Sequence, residues 1–123
     1  MKLHASIMAC LLLGGSCAPA KITPEQAKTL PPTAAHPINF SKEIKPIIEA
    51  SCIKCHGRGR DKGGLRMDSR ETFMKGGDSG PAVVVGRSAE SYLIELVAGL
   101  DPDSVMPKKG SRLKPEQIGT LRA

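Results

Sequence analysis

Tryptophan is absent, and two phenylalanines and one tyrosine are the only aromatic residues among 123. A chain this short has little core volume to begin with. Thirteen glycines and ten prolines dilute its aliphatic residues further. A bound planar group would fill that deficit; a small Leu/Ile/Val core is the plain alternative. Blocks of like charge and internal repeats are also missing. The cations are dispersed and stacking residues are almost lacking, which excludes nucleic-acid binding. No Ser-His-Asp set or paired-carboxylate grouping stands out, so the chain reads as something other than an enzyme.

The apolar run Ile7 to Leu13 is far too short to span a bilayer but fits the core of an export signal. Lys2 and His4 give it a short basic start. Residues 1–20 therefore read as a signal peptide, with Ala18-Pro19-Ala20 as the cleavage site. The alternative is a lipoprotein signal, Leu13-Gly14-Gly15-Ser16-Cys17, with a lipid anchor at Cys17. Glycine at position 14, where leucine is usual, favours simple cleavage. Either ending exports the chain to the periplasm or beyond, without a transmembrane segment in the mature protein. Removing residues 1–20 takes away Lys2 alone among charged groups, leaving 17 Lys+Arg against 12 Asp+Glu and a formal charge of +5.

What is present centres on Cys52-Ile53-Lys54-Cys55-His56. C-x-x-C-H is the attachment signature of a c-type haem. Two thiols add across the porphyrin vinyl groups as thioethers, and the adjacent histidine supplies an axial iron ligand. One such motif implies one covalent haem c. A zinc site wants four ligands, usually in two pairs, and the other two cysteines, Cys10 and Cys17, belong to the signal region. A thioredoxin-like pair wants a βαβ context that is lacking, and Gly57-Arg58-Gly59 breaks a helix. A local Cys52–Cys55 disulfide is the remaining alternative.

Along the chain, residues 21–38 read as a Pro-rich linker and 39–123 as the folded domain. His36 closes the linker and is expected in solvent. Ser41 is the expected N-cap of a helix running into Cys52, with Phe40, Ile44, Ile47 and Ile48 at helical spacing and Pro46 distorting its start. Gly57 to Gly86 is loop-rich, with a helical turn around Ser69 to Met74. Ser88 is expected to cap a helix through Leu93, Leu96, Val97 and Leu100, ended near Gly99. A last helix begins at Pro115, with Leu113 and Ile118 as a hydrophobic staple. Every regular segment is helical, so the fold class is all-α with long ordered loops.

A six-coordinate haem needs a second axial ligand, and methionine sulfur is common in electron carriers. Met106 is the candidate: it follows His56 by 50 residues, in a loop between helices stiffened by Pro107. Met67 lies on an apolar segment and reads as core. Met74 borders a glycine turn. Lys54, Arg58, Arg60, Lys62 and Arg66 cluster beside the haem motif. A solvated face is the plain reading of that cluster, and steering of an acidic redox partner the functional one.

Beyond C-x-x-C-H, the chain from Phe40 to Leu121 resembles the planctomycete-type cytochrome c domain. The matching stretches are Phe40-Ser41-Lys42-Glu43-Ile44-Lys45-Pro46-Ile47-Ile48, Gly63-Gly64-Leu65-Arg66-Met67-Asp68-Ser69-Arg70 and Gly76-Gly77-Asp78-Ser79-Gly80-Pro81. They continue with Ser88 to Ile94, and with Met106-Pro107 followed by Gly110 and Leu113. The resemblance implies a cytochrome c fold, one covalent haem and a methionine ligand at Met106. It also implies that such a domain often heads a longer exported protein. The family's last helix normally runs on beyond the point where this one stops, at Arg122-Ala123, so the sequence reads as truncated there. The expected function is one-electron transfer with redox partner proteins. The alternatives are a haem-based sensor or ligand-binding module, or the haem domain of a larger exported protein.

Overall fold

The computed structural model describes residues 22–123. The signal peptide, both of its cleavage alternatives and Cys17 lie outside the described residues. The described chain is mainly helical, in line with the expected class, with one two-residue extended segment at Arg60–Asp61.

The segment expected as a linker instead carries the first helix, α1, Pro24–Thr29. Thr23 Oγ1 accepts from the Gln26 amide at 3.2 Å, and Gln26 Oε1 accepts from the Thr23 amide at 2.9 Å. This reciprocal cap satisfies two donors that a helix start leaves open. Pro24 stands at the first helical position, where its missing N–H costs nothing. Ile22 and Leu30 flank α1 and are buried, 4 % and 7 % exposed, in the same cluster as Ile47, Ile94, Val97, Leu113 and Ile118. Burial of two large aliphatics contributes roughly 1.5–3 kcal/mol each, which a solvated linker would forgo.

His36, expected in solvent, pairs through Nε2 with Glu43 Oε1 at 2.6 Å while remaining exposed. The cap that follows is Asn39, not Ser41: Asn39 Oδ1 accepts from the Lys42 amide at 3.0 Å. The next turn, Phe40–Ile44, is π-helical and hands over to α2, Lys45–Ser51. Pro46 explains the change of register. Inside a continuous α-helix it would remove a bond and clash with the preceding turn. With the register reset at Lys45, it falls in the first turn of α2, where neither cost arises. Ile47 and Ile48 are then buried, 8 % and 5 % exposed.

A single turn, α3, Ile53–His56, follows α2. Next come α4, Arg70–Lys75, capped by Ser69, and α5, Tyr92–Ala98, closed by Gly99 in the left-handed region at φ 68°. Ser88 opens a 3₁₀ turn, and the helix proper starts one step later, after Ser91. Ser91 is 3 % exposed. Its Oγ accepts from the Val84 amide at 2.8 Å and has the Arg87 carbonyl at 3.2 Å. Ser91 therefore ties the incoming loop to α5 instead of capping the helix.

The last helix, α6, Pro115–Arg122, packs on α5 and on the Phe40–Ile44 turn. Leu113 and Ile118, 7 % and 5 % exposed, bracket its start as the staple spacing predicts. Residues 31–34 lie across α6. The Ala34 amide donates to the Gly119 carbonyl at 3.1 Å, and the Arg122 guanidinium donates to the Pro31 carbonyl. Gly119 is buried, and a Cβ there would run into the carbonyl oxygen of Pro32.

Candidate functional site

Helix α2 delivers the motif. The Cys52 amide still bonds to the Ile48 carbonyl at 2.8 Å, so the chain enters the site from a packed element. The Cys52 carbonyl then accepts from both the Cys55 amide, at 3.1 Å, and the His56 amide, at 2.9 Å. These bonds close one turn that carries both cysteines and the histidine. Both thiols are free and half-buried. Burial pushes the Cys52 thiol up to about 11, so it stays protonated at neutral pH. No group of three or more His, Cys, Asp or Glu residues placed to hold a metal ion occurs among the described residues.

His56 is held from the far side by the returning chain. Its Nδ1 lies 3.3 Å from the Leu65 carbonyl oxygen, to which it donates. That bond assigns the proton to Nδ1 and leaves the Nε2 lone pair available to a metal. The Met67 amide donates to the His56 carbonyl at 2.7 Å. Between them, His56 bridges Asp61 and Gly57 bridges Arg60 in an antiparallel hairpin. Gly57 makes the reversal: a Cβ there would sit 2.7 Å from the Ile53 carbonyl oxygen and 3.0 Å from its side chain. The sequence marks Gly57 only as a helix breaker, and its close approach to Ile53 shows only once the turn is built.

Beyond the hairpin, the Asp78 amide bonds to the Gly63 carbonyl at 2.8 Å, joining the two glycine-rich turns. Met67 is buried at 6 % exposure, the core role expected of it. Met74 is 37 % exposed on α4. Met106 is half-buried in the loop between α5 and α6, packed against the hydrophobic cluster, and its amide donates to the Leu96 carbonyl at 3.0 Å. Met106 is thus held by α5, a different element from the turn that presents Cys52, Cys55 and His56. Arg66 departs from the expected open cluster of cations. Its guanidinium grips Asp68 at 3.0 and 2.6 Å, which holds the Asp68 carboxyl below the usual range.

The donor set fits a covalently held haem. Two free thiols lie three residues apart on one turn, beside an imidazole with one nitrogen engaged and the other available. A separate depression of about 330 Å³ lies between residues 83–93 and α6, lined by Val83, Val85, Ser88, Leu93, Leu121 and Arg122 among others. It contains none of the candidate ligands.

Residues 52–110 match the family described as Planctomycete cytochrome C. The match bears out, over that stretch, the resemblance read from the sequence. No curated protein and no solved structure matches the chain.

Proposed function

On the premise of that family match, we propose that this chain is a mono-haem c-type cytochrome that carries single electrons, with His56 and Met106 as axial ligands. The observation that carries this reading is the Leu65 grip on His56 Nδ1, on the turn that also presents two free thiols. The coarser statement, a cytochrome c-family haem protein, rests on the family match itself.

A haem iron so ligated supplies a reversible one-electron couple. The chain's own residues do the rest. Cys52 and Cys55 provide the thioether anchors and fix the porphyrin to α3. Leu65 holds the His56 proton at Nδ1 and orients the ring. Met106 offers a neutral thioether, which favours the reduced state more than a second nitrogen ligand would. If His56 and Met106 both hold the iron, the bound haem would be left to carry electrons, with no position open to a substrate. Export, read from residues 1–20, belongs to the same proposal. No helix among the described residues is long and apolar enough to cross a membrane.

A denaturing gel stained for haem tests attachment. Wild-type protein from a host able to mature c-type cytochromes should stain, and Cys52→Ala with Cys55→Ala should not. An optical spectrum with and without carbon monoxide tests ligation. An unchanged spectrum supports electron transfer; ready carbon monoxide binding supports the sensor reading instead.

A further inference from the structure

His56 makes two bonds to one short segment of the returning chain. Its Nδ1 donates to the Leu65 carbonyl at 3.3 Å, and its own carbonyl accepts from the Met67 amide at 2.7 Å. Both of those peptide groups are attached to Arg66. The link from Leu65 to Arg66 supplies the acceptor, and the link from Arg66 to Met67 supplies the donor. The conformation at Arg66 therefore sets the direction of both bonds. The only strand among the described residues is Arg60–Asp61, so no sheet ladder holds residues 65–67.

A side-chain fork holds the segment instead. Residues two apart on extended chain share a face. Leu65 and Ser69 are extended, Met67 is buried, and Arg66 meets Asp68 across it. Arg66 Nε donates to Asp68 Oδ1 at 3.0 Å, and Nη2 donates to Oδ2 at 2.6 Å. Two nitrogens engage two oxygens here, whereas Lys28, Lys45 and Arg87 each reach a carboxylate through one nitrogen. The fork is also more sheltered, with side chains 34 % and 24 % exposed against 71 % and 81 % for Lys28 and Glu25. An open single-nitrogen pair fixes little; a bidentate guanidinium–carboxylate pair fixes direction as well as distance.

We propose that Arg66 and Asp68 are a positioning pair: their fork holds residues 65–67 against His56 and so sets the strength of the hydrogen bond at Nδ1. The inference rests on the reading of His56 as an iron ligand. A firmer bond at Nδ1 makes the imidazole a more basic ligand. More basic ligation favours ferric iron, so loosening the fork raises the reduction potential.

The sign of that change separates positioning from simple charge. Charge alone predicts opposite shifts: loss of the Arg66 cation lowers the potential, and loss of the Asp68 anion raises it. Positioning predicts a rise in both Arg66→Gln and Asp68→Asn. Arg66→Lys keeps the charge and loses the planar fork, so it should also raise the potential.

The test measures the potentials of the haem-loaded wild type and the three variants, with hydrogen exchange at the Met67 amide as a second readout. That amide should exchange several-fold faster in every variant. The Ala34 amide, bonded to Gly119, reports on the body of the fold and should hold its rate. Opposite shifts in Arg66→Gln and Asp68→Asn, with Arg66→Lys at the wild-type potential, would overturn the proposal. So would an unchanged Met67 amide, or equal acceleration at Met67 and Ala34, which reports general loosening. A haem-free wild type refutes the cytochrome reading and this proposal with it, whereas loaded variants at the wild-type potential refute the positioning role alone.

Discussion

The Gly119 carbonyl accepts the Ala34 amide at 3.1 Å, and the missing side chain of Gly119 is what allows Pro32 to lie against α6. The sheltered approach of two backbones makes this glycine a packing residue. Gly119→Ala should destabilise the protein by about 1–3 kcal/mol, the usual cost of forcing atoms into a filled contact. Alanine is the better helix former, so a rise in stability would show that the contact relaxes freely. Chemical denaturation of Gly119→Ala beside wild type measures the difference.

Gly57→Ala should damage the site itself. Its Cβ would press on the Ile53 carbonyl at 2.7 Å, within the turn that carries both thiols. The expected outcome is weaker haem staining, with a melting temperature lowered by several degrees, about the effect of 1–2 kcal/mol in a domain of this size. Normal staining and stability together would show that the hairpin yields without cost.

Met106→Ala should leave covalent attachment intact and change the iron's surroundings. The variant should stain for haem as wild type does. Its ferric spectrum should turn high-spin, or show capture of water or a lysine, and its reduction potential should fall. If spectrum and potential match wild type, the ligand lies elsewhere, and Met74 and His36 are the next variants to make.

Acid should weaken the fold partly through Glu43. Its carboxyl is held below the ordinary value of 4.5, chiefly by the Asn39 amide and then by the bond with His36. A lowered folded value means that Glu43 stabilises the protein above the unfolded carboxylate pKa and loses that contribution as pH falls through the folded value. Glu43→Gln should therefore lower the denaturation midpoint near neutrality and shrink its drop below pH 4.5. A parallel drop in both proteins would assign the acid response to other carboxylates, with Asp68 first among them because Arg66 lowers it in the same sense.

The parts of this protein that were legible in the sequence are those that local chemistry dictates. C-x-x-C-H is contiguous, and one helical turn brings its three functional residues together. Gly99 and Pro115 mark helix ends by their own backbone preferences. The proline count hid α1. The spacing of Thr23 and Gln26 is its local signal, and the core that stabilises it comes from residues far along the chain. Asn39 outcompetes Ser41 as a cap because the π turn shifts the register ahead of Pro46. Ser91 carried no visible signal, since its partners at Val84 and Arg87 become neighbours only when the loop folds back. The Leu65 carbonyl is a backbone group whose role no residue type announces.

The bond between Arg122 and Pro31 spans 91 positions, whereas every bond that shapes the His56 turn lies between Ile48 and Met67. Closing the longer loop costs more conformational entropy than closing the short ones. The His56 turn thus depends on a stretch of twenty residues, Ile48 to Met67, whereas closure of the body by α6 depends on both ends of the described chain.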